Sequence, residues 1–219
     1  MPGFDTYLAL GFSQVEVMNP DQDKNLLSTA ITIAQHLAFA WNYSATLRGL
    51  QQYARECPAI LDRNGHFVAT ITYALWDSLF LKLSHCSDNR KEATGFPKLF
   101  KQLRTYLPKP HKLAPQLQAQ ERRLRGLEVQ RKVENWRNQV VAHHTITSDF
   151  DAFYKMNVVS LDEIERVIGE LDEILHVFMI PLWTQCVMVR DLGQYAREGV
   201  DQFVTSMKKE AASQNAQNH

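Results

Sequence analysis

The stretch NPDQDKNLLSTAITIAQHLAFAWNYSATLRGLQQYARE, residues 19–56, decides the fold class. Asn19-Pro20-Asp21 opens it as a helix, because proline fits the first turn and acidic groups there face the positive end of the backbone dipole. Leu27, Ile31, Ala34, Leu37, Ala38, Trp41, Ala45 and Leu50 then recur at three- and four-residue steps, the spacing of one buried helix face. Cys57-Pro58 ends the run, because the residue before a proline is pushed out of the α region.

Working outward, the rest of the chain reads as more helix. Asp62-Arg63-Asn64-Gly65 forms a turn, and a second helix is predicted from His66 to His85. That helix is apolar almost all round (Phe67, Ile71, Tyr73, Trp76, Leu79, Phe80, Leu83), which marks it as the central, most buried one. A short basic helix follows at 97–107, then a break at Leu107-Pro108, then one long polar helix over 112–143. Residues 145–159 read as a loop. Ser160-Leu161-Asp162-Glu163 is a capping box opening a helix with Leu161, Ile164, Ile168, Leu171, Leu175 and Phe178 on one face. Pro181 is expected to kink or interrupt it, and a last helix is placed at 183–210. The domain organisation is thus an arm at 1–18, a helical domain at 19–210 and a polar tail at 211–219.

Composition agrees with an all-α fold. Nine glycines and eight prolines in 219 residues are too few for the many turns of a β-sandwich or barrel. Three scattered cysteines without a Cys-x-x-Cys spacing point to a reducing compartment, and the N-terminus lacks the basic start of a signal peptide. No run of about 18 apolar residues suggests a membrane span, so the chain reads as cytoplasmic. The formal net charge is zero, but residues 98–132 carry ten basic and two acidic side chains, and 133–201 carry five basic and twelve acidic. A basic middle of this kind, with Lys98, Lys101, Arg104, Arg122, Arg123 and Arg125, either presents a positive patch to RNA or is a solvated helix face.

The chemistry-bearing segment is WRNQVVAHH, residues 136–144. Arginine clamps phosphate through paired hydrogen bonds and keeps its charge at any physiological pH. Histidine titrates near neutrality and can take or give a proton. Arg137 with His143 or His144 is therefore the minimum set for cutting RNA without a metal: histidine handles the proton of the 2′-hydroxyl or the leaving oxygen, and arginine stabilises the charge on phosphorus. Trp136 beside them is the one aromatic to weigh for base stacking, with core packing the stronger reading. Neither His85-Cys86 nor His143-His144 has a second pair at ligand spacing, so no metal is expected, and isolated glycines offer no phosphate loop for a nucleotide cofactor.

Arg137-Asn138-x-x-x-x-His143 resembles the motif of the HEPN superfamily, and the Arg-Asn-x-x-x-Ala-His-His form most resembles its abortive-infection type U proteins. The likeness extends over roughly residues 25–180, including the apolar second helix and the capped helix from Leu161. It implies an antiparallel helical bundle that forms a homodimer, with motifs from two copies building one metal-independent endoribonuclease site. It implies Arg137, Asn138 and His143 as functional residues, Asn138 orienting the phosphate or the arginine. A toxin or phage-defence effector of this kind would work with an antitoxin or other regulatory protein. The other implication is a non-catalytic HEPN-like dimer that binds nucleotide, RNA or protein. The family pattern favours His143. Helix geometry at about 100° per residue favours His144, roughly 20° round from Arg137, over His143 at roughly 120°.

Overall fold

The computed structural model describes residues 20–56, 58–107, 113–138 and 150–183, with Glu198, Asp201, Gln202, Thr205 and Lys209 beyond them as single helical positions. Seven helices and no strand occur among the described residues: α1 Pro20–Glu56, α2 Pro58–Ser87, α3 Phe96–Tyr106, α4 Ala114–Arg125, α5 Glu128–Trp136, α6 Phe150–Asn157 and α7 Leu161–Trp183. The expected arm at 1–18 and tail at 211–219 lie outside the described residues, as does most of the helix expected at 183–210.

α1 is the spine. Leu26, Ala30, Ile33, Leu37, Ala40, Ser44 and Leu47 repeat at alternating steps of four and three and are fully buried. Of the stripe read from sequence, Ala34, Leu37, Ala38 and Ala45 are buried, while Ile31 is exposed and Leu27, Trp41 and Leu50 are half-buried. Alanines supply the reason. Ala30, Ala34, Ala38 and Ala40 let other helices approach α1 closely, so its buried face is wide.

α2 returns along α1. His36 meets His85 and Phe39 meets Lys82, so numbers rise on one helix as they fall on the other. α7 also runs antiparallel to α1: Ser44 donates to Glu165 at 3.0 Å, and Arg48 bridges Asp162 at 2.6 Å and Glu165 at 3.0 Å. The α7 core face is the one its spacing predicts, with Ile164, Ile168, Leu171, Leu175 and Phe178 buried. Its capping box forms: the Ser160 amide donates to Glu163 Oε2 at 2.8 Å, and the Glu163 amide donates to Ser160 Oγ at 3.2 Å.

Five local readings are corrected. Asp62–Gly65 is not a turn but part of α2, because a helix packed along α1 overrides the turn preference of four residues. The first half of α2 is not the buried centre: Phe67 is 65% and Tyr73 72% exposed, and full burial begins at Leu79. The polar helix over 112–143 is two helices, broken at Gly126-Leu127, where Leu127 turns extended with ψ 93°. The loop at 145–159 contains α6, held by buried Phe153. Pro181 does not end α7, which runs on to Trp183. No described helix is long and apolar enough to cross a membrane.

Candidate functional site

α5 carries the motif arginine, and polar side chains stitch α5 to the end of α2. Gln130 is buried and donates through Nε2 to the Leu83 carbonyl at 2.7 Å and to Ser87 Oγ at 2.8 Å. The Ser87 hydroxyl donates in turn to the Glu134 carboxylate. Satisfying buried polar groups this way fixes the register of the two helices, because any slip leaves a donor unpaired.

Trp136 completes the anchoring. Its ring stacks on Phe80 at 5.9 Å and meets Phe153 edge-on at 5.1 Å. Its indole N–H donates to the Asn157 carbonyl at 2.7 Å, while Asn135 Nδ2 donates to Asn157 Oδ1 at 2.8 Å. Trp136 therefore packs against the core and locks α5 between α2 and α6.

Immediately after that anchor, Arg137 and Asn138 form a wide, π-type turn. Such turns open the backbone spacing and concentrate at functional positions. Arg137 Nη1 donates to Asn138 Oδ1 at 2.8 Å, and Nη2 lies 3.7 Å from Asp88 Oδ2. The Arg137 side chain is only 19% exposed, and its buried Nε has no hydrogen-bond partner among the described residues. Among its described partners the guanidinium is thus oriented by Asn138 and loosely faced by one acid. His143 and His144 lie outside the described residues.

Around Arg137 the fold gathers cations that sequence spacing did not connect. Asp88 accepts from the Arg90 amide at 3.0 Å and from its guanidinium at 2.9 Å, and these bonds, with Arg137 beyond, hold its carboxyl below the usual range. His85 has its pKa lowered by burial first, then by the charges of Lys82 and Arg137, with Asp88 opposing. The His36 and His85 rings meet edge-on at 5.0 Å. Burial, then His85 and Lys82, push His36 down to about 4. For both imidazoles burial is the first cause of the shift, and the positive charge of Lys82 adds to it.

The basic middle segment behaves differently. Arg123 pairs with Glu173 at 2.7 Å and faces Glu170 at 3.7 Å, and Arg104 pairs with Glu121. Arg122 is exposed and donates weakly to the Gln118 carbonyl at 3.4 Å. Lys101 and Arg125 are exposed and Lys98 half-buried, with no ion pair among the described residues. None of these six is among the charges that act on His85. No group of three or more His, Cys, Asp or Glu gathers as a metal-holding set among the described residues.

A family model described as HEPN, AbiU2, matches residues 58–188, more than half of the chain. The chain belongs to the HEPN AbiU2 family. The match takes in α2 to α7 and the whole Arg137–His144 segment, and it leaves α1 outside. No curated protein and no solved structure matches the chain. An all-α bundle with this motif at the end of an anchored helix is thus an AbiU2-type HEPN module. His36, Lys82, His85 and Arg90 escaped the sequence reading because only tertiary packing brings them to Arg137. The sole local hint was the Lys82-x-x-His85 spacing, which puts those two side chains on neighbouring turns of α2, with Asp88 just past its end.

Proposed function

We propose that this AbiU2-type protein is an endoribonuclease acting as a homodimer, with Arg137 and a histidine of the same segment from each copy forming one composite site. The single observation that carries this reading is Arg137. A guanidinium four-fifths buried, held by Asn138 and set among Lys82, His85 and Arg90, is built to receive a phosphate. In the reaction, a ribose 2′-hydroxyl attacks the adjacent phosphorus and one histidine takes its proton. Arg137 stabilises the extra negative charge, a second protonated group gives a proton to the departing 5′-oxygen, and the products are a 2′,3′-cyclic phosphate and a 5′-hydroxyl. Pairing two copies supplies two histidines, one as base and one as acid. His143 is the assigned base on the family pattern. In this reading the protein is cytoplasmic and serves as a toxin or defence effector restrained by a regulatory partner.

The test is cleavage of a mixed RNA pool by purified protein in EDTA, beside Arg137→Ala, His143→Ala and His144→Ala. Cutting by the parent that is lost with Arg137→Ala and His143→Ala supports the reading. Loss with His144→Ala alone reassigns the base. A dimer that binds RNA, nucleotide or protein and cuts nothing supports the second reading, a non-catalytic HEPN-like binding module. The exposed Phe67 and Tyr73 favour that module as a protein-binding surface.

A further inference from the structure

The cations beside Arg137 continue into an aromatic strip, and the strip leads along α1. Lys82 Nζ lies 4.9 Å from the centre of the Phe39 ring, and no carboxylate among the described residues pairs with it. Phe39 is 47% exposed, and Tyr43, one turn further on, stacks against it at 6.4 Å. His36, one turn back, meets His85 and carries a buried Nδ1 with no hydrogen-bond partner among the described residues. Moving from the motif, the surface therefore presents Arg137, His85 with His36, Lys82, Phe39 and Tyr43. The acids nearby are already engaged, Asp88 by Arg90 and Glu134 by Ser87.

Cations that lead onto exposed ring faces match a single nucleic-acid strand, which alternates phosphate charge with a flat base. A duplex hides its base faces and matches only the cations. We propose that the surface along α1 and the C-terminal half of α2 is a track for single-stranded RNA, with Arg137, His85 and Lys82 on the phosphates and Phe39 and Tyr43 stacking the next base. The assignment rests on the ribonuclease reading for its ligand class. It extends that reading to α1, which lies outside the family match. A carbon-rich face on α1 could instead be covered by a second copy, but Lys82 at its centre, with no carboxylate partner among the described residues, opposes burial against an identical cationic surface.

The test uses the full chain and a fluorescein-labelled single-stranded 2′-O-methyl oligoribonucleotide, which cannot be cleaved, followed by anisotropy. Phe39→Ala and Lys82→Gln each weaken binding by about tenfold, the scale of one lost stacked base or one charge-assisted contact. Phe39→Trp retains it, and a blunt RNA duplex shows no Phe39 dependence. Sedimentation of the same variants reads the oligomeric state. Parent-like binding by both Phe39→Ala and Lys82→Gln overturns the track, and leaves the ribonuclease reading standing if the parent binds and cuts RNA. Parent-like binding with a dimer lost on Phe39→Ala assigns the face to a second copy instead. A parent that binds no single strand overturns both readings together.

Discussion

Gly95 and Gly65 give a paired test of how α2 is held, because the same substitution should have opposite signs at the two positions. Gly95 caps α3 in an extended conformation (φ −131°, ψ −174°) that any residue adopts, so backbone strain plays no part. A Cβ built there would sit 2.6 Å from the His85 carbonyl oxygen and 2.7 Å from that of Cys86. Ordinary contact begins near 3.4 Å, so Gly95→Ala must push α3 and the end of α2 apart by about 0.8 Å. Both obstacles are backbone, which cannot swing aside. Overpacking of this kind costs about 1–3 kcal/mol, and the reduced freedom of the unfolded chain returns about 0.4–1 kcal/mol. The net expectation is a loss of about 1.3 kcal/mol, which lowers a urea midpoint by about 0.6 M for a slope near 2 kcal/mol per molar. Gly65 lies inside α2 with nothing within 4 Å of its added Cβ. Gly65→Ala should therefore stabilise, by about 0.5–1 kcal/mol. Equilibrium urea unfolding of the three proteins decides it. A Gly95→Ala protein as stable as the parent would refute the close approach of α3 to α2 that places His85 and Asp88 beside Arg137.

Acidification should weaken the fold through His36. Its pKa falls from 6.5 to about 4 on folding, so the unfolded chain gains a proton first and stability drops as pH falls through that window. The full shift corresponds to about 3 kcal/mol, and solvent screening at this half-buried ring reduces it to roughly 1–2 kcal/mol. Urea unfolding at pH 7 and pH 5 should show that drop in the parent and a smaller one in His36→Phe; an equal drop in both would remove His36 as its source. Ser160→Ala should cost about 1 kcal/mol by opening the capping box of α7, and an unchanged melting midpoint would contradict the reciprocal bonds with Glu163. Trp136→Phe should cost about 1–2 kcal/mol by leaving the Asn157 carbonyl without its donor; chemical denaturation that finds no loss would count against the anchor.

The helical class was legible because α1 and α7 announce themselves. Proline and acids start α1, Ser160 and Glu163 start α7, and apolar residues at three- and four-residue steps give each a buried side. The failures share a cause. Periodicity says that a surface is apolar, not what lies on it, so Phe67 and Tyr73 marked α2 as central while the fold leaves them exposed. Local preference says where a chain can bend, not whether packing makes it do so. Asp62–Gly65 stays straight within α2, and Gly126-Leu127, less marked as a turn, breaks the helix. Arg137 was legible as a motif. Its surroundings were not, since His36, Lys82 and Asp88 reach it only after α1, α2 and α5 have packed.

Charge makes the same point about the site with more force. By count, residues 98–132 are the basic region and 133–201 the acidic one, and a sequence reading places the anion-binding surface in the first. Folding brings the two against each other: Arg123 on α4 meets Glu170 and Glu173 on α7, and part of the segregated charge becomes internal pairing. The cations that act with Arg137 on His85 come from elsewhere, Lys82 in the last turns of α2 and Arg90 just past its end, where the local composition is unremarkable. What a phosphate senses at short range is the charge left over after such pairing in a place of low water access, not the sum along the chain. Reversing Lys82 to glutamate should therefore weaken binding of a single strand more than reversing Arg123, although Arg123 sits in the richer basic stretch. Equal losses on Lys82→Glu and Arg123→Glu, measured by anisotropy at one ionic strength, would return the surface to the basic segment and detach it from Arg137.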